Sequence, residues 1–560
     1  MSGAKPLVIF TTLLIEKSPQ ALPLGAACVA SSVKHSPLSK DLCDVELVSF
    51  CKEDKVFEEL SGTCPTASSE NKSFSDEAFC NSAASYIASE LLKKNPKVVG
   101  FSVFVWNRVV LEKAAALLKE KGVKVIAGGP EVTARPESFS SFDFAVSGEG
   151  EGVIPEVIKN LLVESGNTPD LKITTSNPDC DLPEFSPYLD GTLDPSLYGG
   201  ALWELARGCP FKCSYCYESK GSKKVRQFAL DRIEKELELF AEKKVNQVFV
   251  LDPTYNANKE RAVKLLNLIA KKTPDTFYYF EARAEFIDRE LARAFTKIPC
   301  ALQIGLQSAD ENVLRLVNRP FNRKQFLKNI AVLNEEGVVF GLDVIYGLPG
   351  DTFKGFKNSV DFAVSQYPNN LEIFCLSVLP GTDLYDRASE LKLIFEEVPP
   401  YHIIKSETYS PDDLEKSERI AKACSVFYNE GRAVPWFNTI LHACSMRASD
   451  FFAEFYDFAT KLSGVKEKFF GGTCTAGHSE IETLQCEFVS YKFHQKKLDR
   501  LLDAALDIIH FNGAYSRKTD TGKSETVTLK YPAEYIDSEY AMNLNFFVKN
   551  VKKHTDRVIL

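Results

Sequence analysis

The chain has 560 residues, of which 44% are apolar and 26% charged, with a formal net charge of -9. That length exceeds what one hydrophobic core serves, so two or three folded domains are expected, with no large-scale disorder. The acidic balance argues against a chain that tracks a phosphate backbone, because such binding rests on clustered Lys and Arg, and nucleic acid is not an expected partner.

Near the N-terminus, Lys5 and the apolar run over residues 7–15 imitate a signal peptide, but no small-residue cleavage site follows, so the run reads as a buried first strand. No stretch approaches the roughly 20 apolar residues that cross a bilayer. A cytoplasmic protein without a membrane partner is expected. The 15 cysteines are an odd number, which fits reduced thiols and metal ligands better than a disulfide framework. Most of them, such as Cys28, Cys300, Cys375 and Cys424, sit inside apolar runs and read as small buried hydrophobes.

Apolar runs at 7–15, 45–50, 98–103, 123–127 and 144–146 alternate with helical patterns, which predicts a doubly wound, Rossmann-like α/β domain over residues 1–165. Ligands of such a sheet bind beyond the carboxyl ends of its strands. The polar stretch 61–79 reads as a surface loop or insertion, and the proline-bearing segment 166–195 as a linker. Over 196–400 the alternation resumes, with strands expected at 202–206, 245–251, 277–280, 301–305, 338–346 and 371–379. Six such units predict a partial (β/α)6, TIM-like barrel whose functional residues lie just past the strand ends. From 401 to 560 the pattern is mostly helical and rich in aromatics, with a strand-like stretch at 526–530 and no motif or repeat.

The strongest local signal is Ala206-Arg-Gly-Cys-Pro-Phe-Lys-Cys-Ser-Tyr-Cys-Tyr217, a C-x3-C-x2-C loop directly after a strand. Three thiolates within eight residues can hold three corners of a cubane, and soft sulfur selects iron-sulfur or zinc. Zinc modules set their ligands in two close pairs, which this spacing does not reproduce, although a distant Cys or His completing a zinc site stays open. The lack of a fourth cysteine nearby leaves one metal position for an outside ligand, as catalytic sites do.

The loop resembles the signature of the radical S-adenosylmethionine superfamily. The resemblance implies a [4Fe-4S] cluster on Cys209, Cys213 and Cys216, whose open iron chelates S-adenosylmethionine, and an electron that splits this cofactor into methionine and a deoxyadenosyl radical. The electron implies a reductant such as flavodoxin or ferredoxin as a partner. Tyr215 matches the aromatic position that meets the cofactor. Downstream, Asp252, Asn256 and Asn258 resemble the loop after the second barrel strand, and Glu281 and Arg283 the polar residues after the third. An Arg there suits a carboxylate, which its planar fork grips through two hydrogen bonds. Gln307 and Ser308 resemble the ribose region after the fourth strand, with Gln307 standing where many relatives carry Glu. Gly347 and Pro349 lie in a run that resembles the turn near adenine after the fifth, and the run 378–382 follows the sixth.

The stretches 98–107, 127–131 and 147–151, together with 18–25, resemble the cobalamin-binding domain that precedes the barrel in one branch of this superfamily. On that resemblance Ser102 meets the base of the cobalamin tail, Gly128 and Gly129 let the tail approach the backbone, and Glu149 belongs to the same site. No Asp-x-His-x-x-Gly motif follows the first strand, and the only early histidine is His35, so the cobalt would lack a histidine from that motif. The branch implies cobalamin-dependent transfer of a methyl group to an unactivated carbon of an unspecified substrate. A cobalamin-independent radical rearrangement, cyclisation or oxidation is the second enzyme reading, and a non-catalytic iron-sulfur or cobalamin sensor is the rival from another class. Methylthiotransferases share the barrel but need three further cysteines in set contexts, which Cys28, Cys43, Cys51, Cys64 and Cys80 do not reproduce.

Overall fold

The structure is a computed structural model that describes residues 5–62, 77–163, 171–177, 181–219, 224–471 and 474–560. Cys64, most of the expected insertion at 61–79 and parts of the expected linker lie outside the described residues. Two compact units are formed: the first comprises 1–301, 377–389 and 396–402, and the second 302–376, 390–395 and 403–560. Among the described residues, no helix is long and apolar enough to cross a membrane.

In the first unit a six-stranded sheet is built from β1 (Leu7–Leu14), β2 (Asp44–Cys51), β3 (Val98–Ser102), β4 (Lys124–Gly128), β5 (Phe144–Ser147) and β6 (Lys172–Thr175). All its pairs are parallel, in the order β2-β1-β3-β4-β5-β6. Apolar runs form the strands because both faces are covered, so successive residues serve different cores. Ile9, Val99 and Val125 pack with helices Glu77–Lys93 and Arg108–Glu120, while Val8, Val98 and Ile126 pack with helices Leu24–His35 and Ile154–Val163. Five of the six strands fall on the expected runs. The sixth, β6, lies inside the expected linker, and its largely exposed Lys-Ile-Thr-Thr is an edge strand that carries no apolar run.

The first unit also holds β7 (Ala201–Trp203), β8 (Ala206–Arg207), β9 (Arg226–Gln227), β10 (Gln247–Val250) and β11 (Phe277–Ala282). β10 pairs in parallel with β7 and β11, and β8 pairs antiparallel with β9. A single strand was expected over 202–206; it divides into β7 and β8 because the Asp252 carboxylate accepts the Leu205 and Ala206 N–H groups at 2.8 and 2.9 Å. These donors are thereby taken from any strand ladder.

In the second unit, β12 (Cys300–Gln307, from Leu302 onward), β13 (Phe340–Tyr346) and β14 (Asn370–Cys375) pair in parallel. Helix Arg323–Glu336 starts on an Asn322 cap and ends at left-handed Gly337, and Thr352 caps helix Phe353–Val364. After Tyr401 the chain is mostly helical, as expected. Helix Pro411–Cys424 opens on a Ser410 capping box and runs into a π-helical turn, Ser425–Glu430. Phe427 in that turn meets the rings of Trp436, Phe437, Phe451 and Phe455 at centroid distances of 4.9 to 5.7 Å. The expected strand at 526–530 is Thr526–Leu529, paired antiparallel with Asp556–Ile559.

Candidate active site

The cysteine loop leaves β8 through Gly208, whose φ of +94° is left-handed. A Cβ there would lie 2.7 Å from the Lys224 carbonyl oxygen, so glycine is required on two counts. Cys213 is buried, and Cys209 and Cys216 are half-buried. Cys209 Sγ lies 3.5 Å from Thr254 Oγ1, which donates to the Pro253 carbonyl. The Cys216 N–H donates to the Cys213 carbonyl at 3.1 Å, and the Leu384 N–H donates to the Ser214 carbonyl at 2.8 Å, which anchors the loop from a second segment of the chain.

Burial pushes the Cys216 thiol up to about 11, with the neighbouring Cys213 and Cys209 adding smaller contributions. The three thiols therefore stand within electrostatic reach of one another. Metal uptake at such a loop releases protons. Among the described residues, no group of three His, Cys, Asp or Glu side chains is placed to hold a metal ion, so the three cysteines share one loop without converging as a ready-made metal site. The Ser214 hydroxyl, buried in the same loop, makes no hydrogen bond among the described residues.

Arg207, two residues before Cys209, is the hub that fixes this loop. Its Nε donates to Glu204 at 2.7 Å, Nη1 to Glu149 at 3.0 Å and Nη2 to Glu151 at 2.6 Å. Arg226, opposite Arg207 on β9, donates to the same Glu149 at 3.2 Å. Burial would lower the Arg207 pKa, but Glu204 and Glu151 hold it well above the usual range. Burial likewise raises Glu149, yet Arg226 and Arg207 bring it below the usual carboxylate range. Glu149 follows β5 of the first sheet, so this hub ties the strand ends of that sheet to the cysteine loop.

The expected residues after β10 and β11 brace the loop from its other side. Asn256 is fully buried; its amide donates to the Arg283 carbonyl and accepts the Arg283 N–H, both at 2.9 Å. Arg283 is buried and paired with Glu285, and its guanidinium lies 4.0 Å from the centre of the Phe211 ring, between Cys209 and Cys213 in sequence. Glu281 is exposed at the end of β11. Asn258 caps the helix Lys259–Lys272 by accepting the Arg261 N–H. Burial moves the Asp252 carboxyl up to about 7 against the two N–H groups it accepts. Tyr215 is half-buried beside Cys216.

In the first sheet the direction of winding reverses between β1 and β3, which is where a doubly wound fold opens its crevice. A cavity of about 40 Å³ lies there, lined by Phe10, Ala26, Ser102, Gly128 and Ile154 among others. Gly128 borders this space, with only the Phe101 carbonyl near a notional Cβ. Gly129 has a different reason to be glycine: its φ is +105°, and a Cβ would lie 2.6 Å from the Val103 carbonyl oxygen. Asn107, fully buried, donates to Thr12 and to the Leu13 carbonyl at 3.1 Å and accepts the Phe104 N–H, so one side chain fixes the crevice edge. Nothing in the sequence distinguished it from the other residues of its motif. His35 is bonded to Asp190 at 3.0 Å and stacked on Phe185, and it does not line the cavity.

The remaining expected residues belong to the second unit. Gln307 has a φ of +68° at a bulge in β12, and its buried side-chain oxygen has no hydrogen-bond partner among the described residues. A left-handed non-glycine residue with an orphaned acceptor is costly, and such costs gather where a ligand binds. The Ser308 hydroxyl accepts the Asp310 N–H at 3.1 Å. Gly347 has a φ of +85°, and a Cβ there would meet Ile403 at 2.7 Å; Pro349 is buried in the same turn.

Residues 203–363 match the radical SAM superfamily, residues 76–158 match the B12 binding domain, and residues 389–470 match a protein family of unknown function, DUF4080. The chain is 26% identical over 330 residues to the cobalamin-dependent radical SAM methyltransferase TokK of Streptomyces tokunonensis, an alignment that covers 52% of this chain and 48% of that one. It is also 26% identical over 331 residues to the 2-(S-pantetheinyl)-carbapenam-3-carboxylate methyltransferase of Streptantibioticus cattleyicolor, with the same coverage. The chain thus spans about half the length of these curated relatives. Among solved structures, it resembles the cobalamin-dependent S-adenosylmethionine radical enzyme OxsB with a TM-score of 0.53 at 14% identity, over 97% of this chain and 83% of that one. The methyltransferase TsrM from Kitasatospora setae, solved with cobalamin and a [4Fe-4S] cluster, resembles it with a TM-score of 0.52 at 15% identity, over 74% of this chain and 81% of that one. Parallel-sheet architecture and both domain matches agree: residues 203–363 carry a radical SAM region and residues 76–158 a B12-binding region.

Proposed function

We propose that this protein is a radical S-adenosylmethionine enzyme that transfers a methyl group to an unactivated carbon, with a [4Fe-4S] cluster on Cys209, Cys213 and Cys216 and cobalamin at the crevice of the first sheet. The observation that carries this reading is the Arg207 hub, which locks the three-thiol loop to the strand ends of the B12-binding domain within one compact unit. Two cofactors that must act on one substrate need such a fixed spacing, because a misplacement of about 1 Å can cost about a hundredfold in rate.

The donor set fits the cluster: three soft sulfurs with no fourth cysteine in the loop. The small, mostly apolar cavity beside Ser102 and Gly128 lies where a ligand tail would enter the sheet, and its lining supplies no histidine for the metal. When bound, the cluster and S-adenosylmethionine supply radical chemistry and cobalamin supplies a methyl carrier, a combination also named for the relative TokK. The chain's own part is positional. Gly208 and Asp252 shape the start of the loop, Arg283 and Phe211 brace its middle, and the backbone of Leu384 holds it at Ser214. Ser102 offers a hydroxyl to the tail, and Gln307 in the second unit offers an unpaired carbonyl oxygen to a ligand hydroxyl.

The test is anaerobic reconstitution with iron, sulfide and hydroxocobalamin, followed by addition of S-adenosylmethionine and a low-potential reductant. The wild type is expected to take up cobalamin and to release 5′-deoxyadenosine and S-adenosylhomocysteine. Cys213→Ala is expected to lose 5′-deoxyadenosine while keeping the cobalamin absorption. Persistent 5′-deoxyadenosine in that variant would refute the ligand assignment, and a wild type that binds no cobalamin would refute the methyl-transfer half.

A further inference from the structure

Two neighbouring helices of the C-terminal region bring together a thiol, an imidazole and a carboxylate that the proposed chemistry does not use. Cys486 lies on helix His478–Gln495 and His510 on helix Asp499–Thr521. Cys486 Sγ is 3.9 Å from His510 Nε2, and His510 Nδ1 is 2.7 Å from Glu482 Oε1. Glu482 precedes Cys486 by one helical turn, so one helix carries both the acid and the thiol, and the other inserts the ring between them. This is the order in which a base activates a nucleophile while a third group orients the base.

The surroundings hold Glu482 and His510 in defined states. Glu482 is buried, and its other oxygen is paired with Arg517, which also reaches Glu525 at 3.0 Å and His478 Nδ1 at 3.1 Å. Burial alone would raise the Glu482 carboxyl, but hydrogen bonds from His510 and Arg517 hold it below the usual range. His510, bonded to Cys486 and Glu482, is pushed up to about 10. Asp507, one turn before His510, accepts the backbone N–H groups of Lys530 and Tyr531 and so does not compete for the ring. Cys486 and His510 are both partly open to solvent, unlike the buried Cys424 and Cys444. A metal is a poor occupant, because among the described residues no group of three His, Cys, Asp or Glu donors is placed to hold one.

We propose that Cys486 is an activated thiol, paired with His510 and oriented by Glu482, that is thiolated by low-molecular-weight disulfides. The Cys486 sulfur bonds to one sulfur of the disulfide, the S–S bond breaks, and the departing thiolate takes up the proton held by His510. Cys486 is oxidised to a mixed disulfide while half of the reagent is reduced to a thiol. The proposal is independent of the cluster and of cobalamin.

The experiment exposes the freshly reduced, full-length protein to oxidised glutathione without air and follows each cysteine peptide by mass spectrometry from pH 6 to 9. Cys486 is expected to react about tenfold faster at pH 6.5 than Cys375 or Cys474, which are also half-buried, because only the thiolate attacks. Its rate should stay nearly flat from pH 6 to 8. His510→Asn should slow it about tenfold at pH 6.5 and make it climb about tenfold per pH unit below about 8. Equal rates for the three cysteines, or an unchanged profile in His510→Asn, would overturn the proposal. Should that variant misfold by circular dichroism, the wild-type profile decides alone: a flat rate supports the pair, and a tenfold climb per unit overturns it.

Discussion

Around the cysteine loop the chain leaves regular structure and is held by directed charge, with Arg207 dividing its donors among three carboxylates. Around Phe427 it stays helical and is held by rings that meet edge to face. Ring packing tolerates exchange of shape and is indifferent to angle at the level of a few degrees, so it suits a scaffold. A guanidinium fork fixes direction as well as distance, so it suits a loop whose thiols must stand at set positions.

If that contrast holds, substitutions in the two regions should fail differently. Phe427→Ala is expected to have the largest effect on stability, about 4 kcal/mol by denaturant unfolding, with Phe427→Leu recovering about half because volume is what matters. Arg207→Ala should cost about 3 kcal/mol by taking the shared guanidinium from the half-buried Glu204 and Glu151, and Arg207→Lys should not restore iron content after reconstitution because an ammonium cannot reproduce the fork. Recovery by Lys would erase the distinction between the regions. Gly208→Ala should cost about 2 kcal/mol through its left-handed backbone and the approach of the Lys224 carbonyl, with a matching loss of bound iron.

The smallest effect is expected at Asp252. Its folded pKa of about 7 lies above the usual carboxylate value, so the folded state binds the extra proton. Its contribution is therefore fully present below about pH 4 and is lost as the pH rises through about 7. Asp252→Asn keeps the oxygen that accepts Leu205 and Ala206, so it should change stability by under about 1 kcal/mol at pH 5 and flatten the decline in melting temperature between pH 5 and 8. A steeper decline in the variant would mean that some other group governs this window.

The strands with two buried faces were legible in the sequence because burial on both faces writes itself as an apolar run, as in 98–103. β6 was not, since an exposed edge strand of Lys, Ile and Thr has the composition of a loop. The cysteine spacing pointed to its own chemistry; Asp252, Arg283, Ser308 and Gly347 follow β10, β11, β12 and β13, while Glu281 and Gln307 are the last or next-to-last residues inside β11 and β12. What stayed hidden was pairing across the fold. Nothing local distinguishes Glu149 as the partner of both Arg207 and Arg226, which lie 58 and 77 residues away. The Cys486 cluster was hidden for the same reason: Glu482 and Cys486 show a one-turn spacing, but His510 joins them only once two helices lie side by side.

The Arg207 hub also frees another part of the chain from a duty. Since ion pairs set the spacing between the first sheet and the thiol loop, the segment that joins them in sequence, 166–195, need not act as a ruler. Within it, β6 still has to pair with β5 and Asp190 still has to meet His35, but the distance from the sheet to the thiols is kept by Arg207 and Arg226 through Glu149.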